Sequence, residues 1–281
     1  MNESAMIAGR VAAEGDEIYW ESRGQGRPLL MIAGGLGDGG IYTFVAEILA
    51  DEFRVITYDR RGQSRSTRND PQNFTISQQA RDAAAVLVAA GETSALVFGN
   101  SSGGVIGLEL ARSQPELVQA LVVHEPPVLR MLPDADRWLA FITQIYVTAL
   151  LEGHDVALRE FMASIAMPPA MPDRELLESG VFEQINQRQR ANGSSEFGMR
   201  HELVPASHYL PDVSALRASG VKVVLGIGAA TQEAGAYYGR TVPILAEHLG
   251  CEVVVFPGHH GSYLVNPREW TAVLRGILRR V

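Results

Sequence analysis

The sequence has very little cysteine, with Cys251 the only one in 281 residues. An intrachain disulfide and a cysteine-built zinc site are thereby excluded, and a reducing compartment suits such a chain. Positive charge is scarce as well: 24 Lys and Arg stand against 32 Asp and Glu, for a net charge of -8. No basic stripe is available to neutralise a phosphate backbone, so nucleic acid is not an expected partner, nor is an anionic membrane surface. Long apolar runs are missing too. The longest, near residues 83–90 and 120–123, fall far short of the roughly 20 residues a membrane span requires. The opening MNESAMIAGRVAAEGDEIYW lacks the basic start and apolar stretch of a secretory signal, so a cytoplasmic location is expected. What the chain does have is apolar content, 46% hydrophobic against 20% charged residues, enough for one large core with an inserted subdomain.

Short β-branched or leucine-rich runs at 29–33, 53–58, 95–98, 121–123, 221–227 and 252–256 are bounded by Gly, Asp or Pro and read as buried strands. Between them, residues 41–49, 76–90, 105–111, 245–249 and 270–278 carry apolar side chains at helical spacing. Alternating strands and helices predict an α/β fold whose mostly parallel central sheet is covered on both faces. The alternation stops between about 128 and 210, where the pattern turns helical. Residues 1–127 and 211–281 are therefore read as the core and 128–210 as an inserted helical cap. Trp138, Phe141, Phe161, Met162, Met167, Met171 and Met199 in that segment either fill its own core or line an adaptable apolar pocket.

Gly99-Asn100-Ser101-Ser102-Gly103 is a G-x-S-x-G sequence lying directly between an expected strand and an expected helix. With 28 Gly in 281 residues and typical Ser usage, such a pentapeptide arises by chance in roughly one chain of six, so the context carries the argument. A strand turning sharply into a helix needs small residues two before and two after the serine, and the turn presents its hydroxyl at the helix N-terminus. Ser101 is thus the candidate nucleophile, and the N–H of Ser102 points to where an oxyanion forms. A second oxyanion donor is expected from the glycine-rich loop 34–40, and Gly35 is the choice. That loop lacks the Lys-Ser/Thr of a phosphate-binding loop and the downstream acid of a dinucleotide site.

Serine attacks only after a base takes its proton, and that base is usually histidine. After the last strand the chain reads Pro257-Gly258-His259-His260-Gly261-Ser262-Tyr263, the place where a serine-first chain order presents its base. His260 is the candidate, His259 is expected to point elsewhere, toward solvent, and His124 is the rival. For the acid that orients the imidazole, Glu125 directly follows the strand 121–123, with Pro126 and Pro127 expected to hold its backbone extended. The alternative is Glu233, several residues into the loop after the strand 221–227.

Asp59-Arg60-Arg61-Gly62-Gln63-Ser64, the Ser101 elbow and the His260 loop resemble the α/β-hydrolase superfamily over nearly the whole chain outside the cap. Within it, Gly35-Leu36-Gly37, Ser64-Arg65-Ser66, Ser101-Ser102-Gly103, His124-Glu125-Pro127 and Gly228-Ala229-Ala230-Thr231 resemble the zearalenone lactone hydrolases. This resemblance implies a serine lactonase with a Ser101-His260-Glu125 triad, no cofactor and no metal. That family carries a substrate-contacting Trp in the second half of its cap, where this chain has Phe197. Trp138 and Phe197 are accordingly the candidate substrate contacts. The expected substrate is an apolar small-molecule ester or lactone. Rival readings are a carboxylesterase, a carbon–carbon bond hydrolase or cofactor-free haloperoxidase of the same fold, and a receptor-like hydrolase that binds its ligand without turnover. Dehalogenases and epoxide hydrolases are disfavoured, because their elbow carries Asp in place of Ser101.

Overall fold

A computed structural model describes residues 6–165 and 177–281. Met167 and Met171 lie outside the described residues. Among those described, eight strands form one sheet in the order β1-β2-β4-β3-β5-β6-β7-β8. They are β1 (Ile7–Ala13), β2 (Asp16–Arg23), β3 (Arg27–Ile32), β4 (Phe53–Tyr58), β5 (Ala95–Asn100), β6 (Val118–His124), β7 (Lys222–Gly228) and β8 (Glu252–Phe256). β1 and β2 pair antiparallel, β2 runs antiparallel to β4, and all other pairings are parallel.

The helices that matter here are α1 (Thr43–Leu49), α2 (Ile76–Ala89), α3 (Ser102–Ser113), α4 (Ala135–Leu151), α5 (His154–Ser164), α6 (Val181–Ala191), α7 (Thr241–Leu249) and α8 (Pro267–Leu278). The strand period of two divides the apolar residues between two cores. Leu30, Ile32, Val97, Leu121 and Leu225 pack under α2, α3 and α7. Met31, Leu96, Phe98, Val122 and Val224 face α1 and α8. Burial on both faces explains why the central strands read as continuous apolar runs. α8 shows the helical counterpart: Pro267 opens it, and Trp270, Leu274, Ile277 and Leu278 form its buried stripe.

Two features depart from expectation. β1 and β2 were not among the expected strands, because their outer positions are polar or exposed, as in Asp16-Glu17-Ile18-Tyr19-Trp20-Glu21. β8 is an edge strand, with Val253 and Val255 exposed, where a buried strand was expected. Between β6 and β7 the described residues contain helices and turns but no strand.

Candidate active site

β5 delivers Ser101 to the carboxyl end of the sheet. The residue sits at φ 55° and ψ -127°, outside the regions a side chain ordinarily prefers. Its neighbours explain how the turn closes. A Cβ on Gly99 would lie 2.4 Å from the carbonyl oxygen of Gly103, and one on Gly103 would lie 2.1 Å from that of Ile32. Ser102 is the first residue of α3, so its amide has no partner within the helix and is available to a ligand.

The loop after β3 forms the adjoining wall. The carbonyl of Gly34 accepts from the Gly37 amide at 3.0 Å and from Arg60 Nη2 at 2.7 Å. Gly35 lines the same cavity as Ser101 and Ser102. Both candidate oxyanion donors therefore line the cavity together with the candidate nucleophile.

Glu125 follows β6 and is fully buried, with its carboxylate divided between two donors. Oε1 accepts the Gly228 amide at 2.7 Å, and Oε2 lies 2.6 Å from His260 Nδ1. Burial pushes this carboxyl up, but His124, the hydrogen bond from His260 and the Gly228 amide outweigh it and hold the group at about 2. An ionised acceptor at Nδ1 puts the imidazole proton there and leaves Nε2 free as a base. The backbone of Glu125 is at φ 50°, where the following prolines had suggested an extended path. Its amide bonds to Gly226 O at 3.0 Å while its side chain is held at two points, and these tertiary contacts override the local preference. Glu233 ends a short helix after β7 and is exposed.

The other histidines occupy different places. His259, expected to face solvent, is buried; its amide donates to Ser262 Oγ at 2.6 Å and its Nδ1 accepts from the Gly261 amide at 3.1 Å. His124 lies fully buried behind the site, its ring centroid 6.3 Å from that of His260. Burial pulls the His124 imidazole down to about 4, against the opposing pull of Glu125, so it is neutral at ordinary pH. The ligand atoms of His124, Glu125 and His260 lie within 4.8 Å of one another. Both Glu125 oxygens already accept hydrogen bonds, which suits proton transfer better than metal ligation.

Ser101 and His260 open into a cavity of about 400 Å³. Phe161, Met162 and Met199 line it, as the pocket reading expected, but Trp138, Phe141 and Phe197 do not. Trp138 stacks on Tyr237 with centroids 4.2 Å apart, so Tyr237 takes the place facing the cavity. Phe197 is buried over Gly62 and packs edge-on against Phe74 at 6.0 Å. Tyr238, whose ring meets that of His260 at 4.7 Å, was not anticipated. The sequence signal was available: a tyrosine pair soon after the carboxyl end of β7, where parallel sheets place ligand loops. Phe182, Ile185 and Gln189 also line the cavity, and their spacing of three and four is a helical stripe.

These placements predict distinct outcomes for the aromatics. Phe161→Ala should reduce the preference for bulky over small acyl groups by roughly tenfold, given about 1.5–3 kcal/mol for a fully buried aromatic. Phe197→Ala should instead lower the melting temperature and leave that preference unchanged. Kinetics on a short and a long p-nitrophenyl ester, with thermal melts, separates the two.

A model of the α/β-hydrolase fold family matches residues 27–164. The chain is also 30% identical over 277 residues to YraK, an uncharacterized hydrolase of Bacillus subtilis, covering 97% of this chain and 96% of that one. The chain belongs to the α/β-hydrolase family. Among solved structures, a carboxylesterase of Nitrososphaera gargenis superposes on this α/β hydrolase with a TM-score of 0.75 at 20% identity, covering 96% of this chain and 98% of that one. Est816, an N-acyl homoserine lactone degrading enzyme, does so with a TM-score of 0.71 at 21% identity, covering 95% and 99%. At such identities the likeness is one of fold.

In this α/β hydrolase, ion pairs fasten the helices between β6 and β7 to the core beside the cavity. Arg188 of α6 makes two hydrogen bonds to the buried Asp38, at 2.9 and 3.0 Å. Glu202, in the π-helical turn Gly198–Glu202, pairs with the fully buried Arg60. Neither acid was singled out in the sequence, because the partners lie 150 and 142 residues away.

Proposed function

We propose that this α/β hydrolase cleaves the ester bond of an uncharged, largely apolar small molecule, an ester or a lactone, by acyl transfer through Ser101, His260 and Glu125 without a cofactor. Residues 128–210 act as a cap over a core of residues 1–127 and 211–281. The observation that carries the reading is the 2.6 Å contact between Glu125 Oε2 and His260 Nδ1 at the wall of a cavity that also admits Ser101.

Ser101 Oγ attacks the carbonyl carbon as His260 Nε2 takes its proton, and the amides of Gly35 and Ser102 hold the oxyanion. Collapse expels the alkoxide, which takes the proton from His260. Water, deprotonated by the same imidazole, then releases the acid. In a lactone the alkoxide remains tethered, so prompt protonation by His260 prevents the ring from reclosing. The loop resemblance to zearalenone-type lactonases favours a lactone, and the carboxylesterase reading uses the same steps. Among the described lining residues there is no Lys or Arg, Glu202 is the one carboxylate and His260 the one imidazole, and Glu202 is already paired with Arg60. This wall suits an uncharged ligand.

Aryl esters, aliphatic lactones and macrolactones assayed by product mass test the reading. Hydrolysis of apolar members is expected; tight binding without turnover of any member would establish the receptor-like alternative.

Glu125→Gln should preserve the fold yet lower turnover by roughly 10³–10⁴, because the amide fails to fix the imidazole tautomer and to stabilise the imidazolium. Glu233→Gln should change little. Since the Glu125 carboxyl is held down at about 2, its protonation does not account for activity lost near the ordinary carboxylate value of 4.5 or above. The sign follows from linkage: this depressed carboxyl contributes stability above its unfolded-state value near 4.5, lost as the pH falls through about 2. Rates of both variants and the acid limb of the wild-type profile check these expectations; a crippling Glu233 change beside a near-normal Glu125→Gln would reassign the acid.

A further inference from the structure

The cavity wall beside Ser101 contains a buried carboxylate that the proposed mechanism does not use. Glu202 belongs to the helical segment over the site, yet its contacts run to the core. Oε1 accepts from Ser102 Oγ at 2.9 Å and from Arg60 Nη2, while Oε2 accepts from Gln63 Nε2 at 3.0 Å. The same Arg60 nitrogen donates to the carbonyl of Gly34 at 2.7 Å. The chain contains no cis peptide among its described bonds, so the Gly34 carbonyl and the Gly35 N–H project from opposite sides of one planar unit. Pulling the carbonyl toward Arg60 therefore aims the amide the other way.

Resting on the triad reading above, we infer that Glu202 is a positioning residue of the oxyanion hole. Through Arg60 it orients the Gly35 amide, and through the Ser102 hydroxyl it fixes the residue supplying the second amide. A single carboxylate thus links the seating of the cap to the geometry of both donors. Charge makes the arrangement workable. A bare carboxylate beside a developing oxyanion would oppose it, but the Arg60 guanidinium balances that charge. Oxyanion donors act only when held at the position the oxyanion will occupy, and misplacement costs rate before it costs substrate binding.

The test compares Glu202→Gln, Glu202→Asp and Ser102→Ala with wild type on p-nitrophenyl butyrate, with an alkyl trifluoromethyl ketone as a mimic of the tetrahedral adduct. Glu202→Gln should lower kcat by roughly tenfold to a hundredfold, below the full loss of one donor, with KM within about threefold. Inhibition by the ketone should weaken by the same factor as kcat/KM falls. Glu202→Asp keeps the charge and should recover part of the loss, and Ser102→Ala should fall between Glu202→Gln and wild type. If Glu202→Gln does not fold, the Ser102→Ala comparison decides the question alone. A raised KM with unchanged kcat, or ketone inhibition unmoved in folded variants, would overturn the inference while leaving the triad intact. Wild type lacking Ser101-dependent hydrolysis would overturn the triad reading itself, and this inference with it.

Discussion

Ser101→Ala is expected to lower turnover by about 10⁶ while leaving the protein folded and able to bind ligand. The hydroxyl is the only group lost. Alanine has the same Cβ as serine, and the crowding that shapes the elbow lies at Gly99 and Gly103, so the turn should keep its geometry. The proposed oxyanion amides and the cavity remain, and a small residual rate over water is expected from them alone. Hydrolysis of p-nitrophenyl butyrate, with far-UV circular dichroism as the control for folding, gives the result. Activity within tenfold of wild type would rule out a serine nucleophile at this position.

His260→Ala should be about as damaging, near 10⁶, and the double variant with Ser101→Ala scarcely worse than either single one. In the proposed mechanism the two side chains perform one proton-coupled attack, so losing either removes the same event. Removing the imidazole also leaves Glu125 buried without its partner at Oε2, so some stability should be lost as well. His259→Ala is the contrasting case. That ring accepts the Gly261 amide and does not line the cavity, so its loss should loosen the loop and reduce turnover by far less. Kinetics on the three variants checks the ranking, and the reverse order for the two histidines would reassign the base.

The candidate elbow and the candidate base could be picked out because each carries a local signal: small residues flanking Ser101, and a histidine after the final strand. The central strands were legible for a similar reason, since burial on both faces produces continuous apolar runs. Glu125 could be placed by its position at the end of β6, although its φ of 50° could not, because contacts with Gly226, Gly228 and His260 set that conformation. The candidate substrate contacts depended on orientation, which composition does not encode. Trp138 and Tyr237 form one stack, and only the packing decides that Tyr237 meets the cavity. Arg60 stood in the quoted Asp59–Ser64 stretch without a partner, and Glu202 was not singled out, for the plainest reason: a buried ion pair between distant segments exists only once the helices are seated.

The most direct test of the central claim is covalent labelling of the folded wild-type protein with a fluorophosphonate, followed by peptide mass mapping. One adduct on Ser101 is predicted, absent in Ser101→Ala and strongly slowed in His260→Ala. No adduct on folded wild type, or an adduct on a different residue, would contradict Ser101 as the nucleophile.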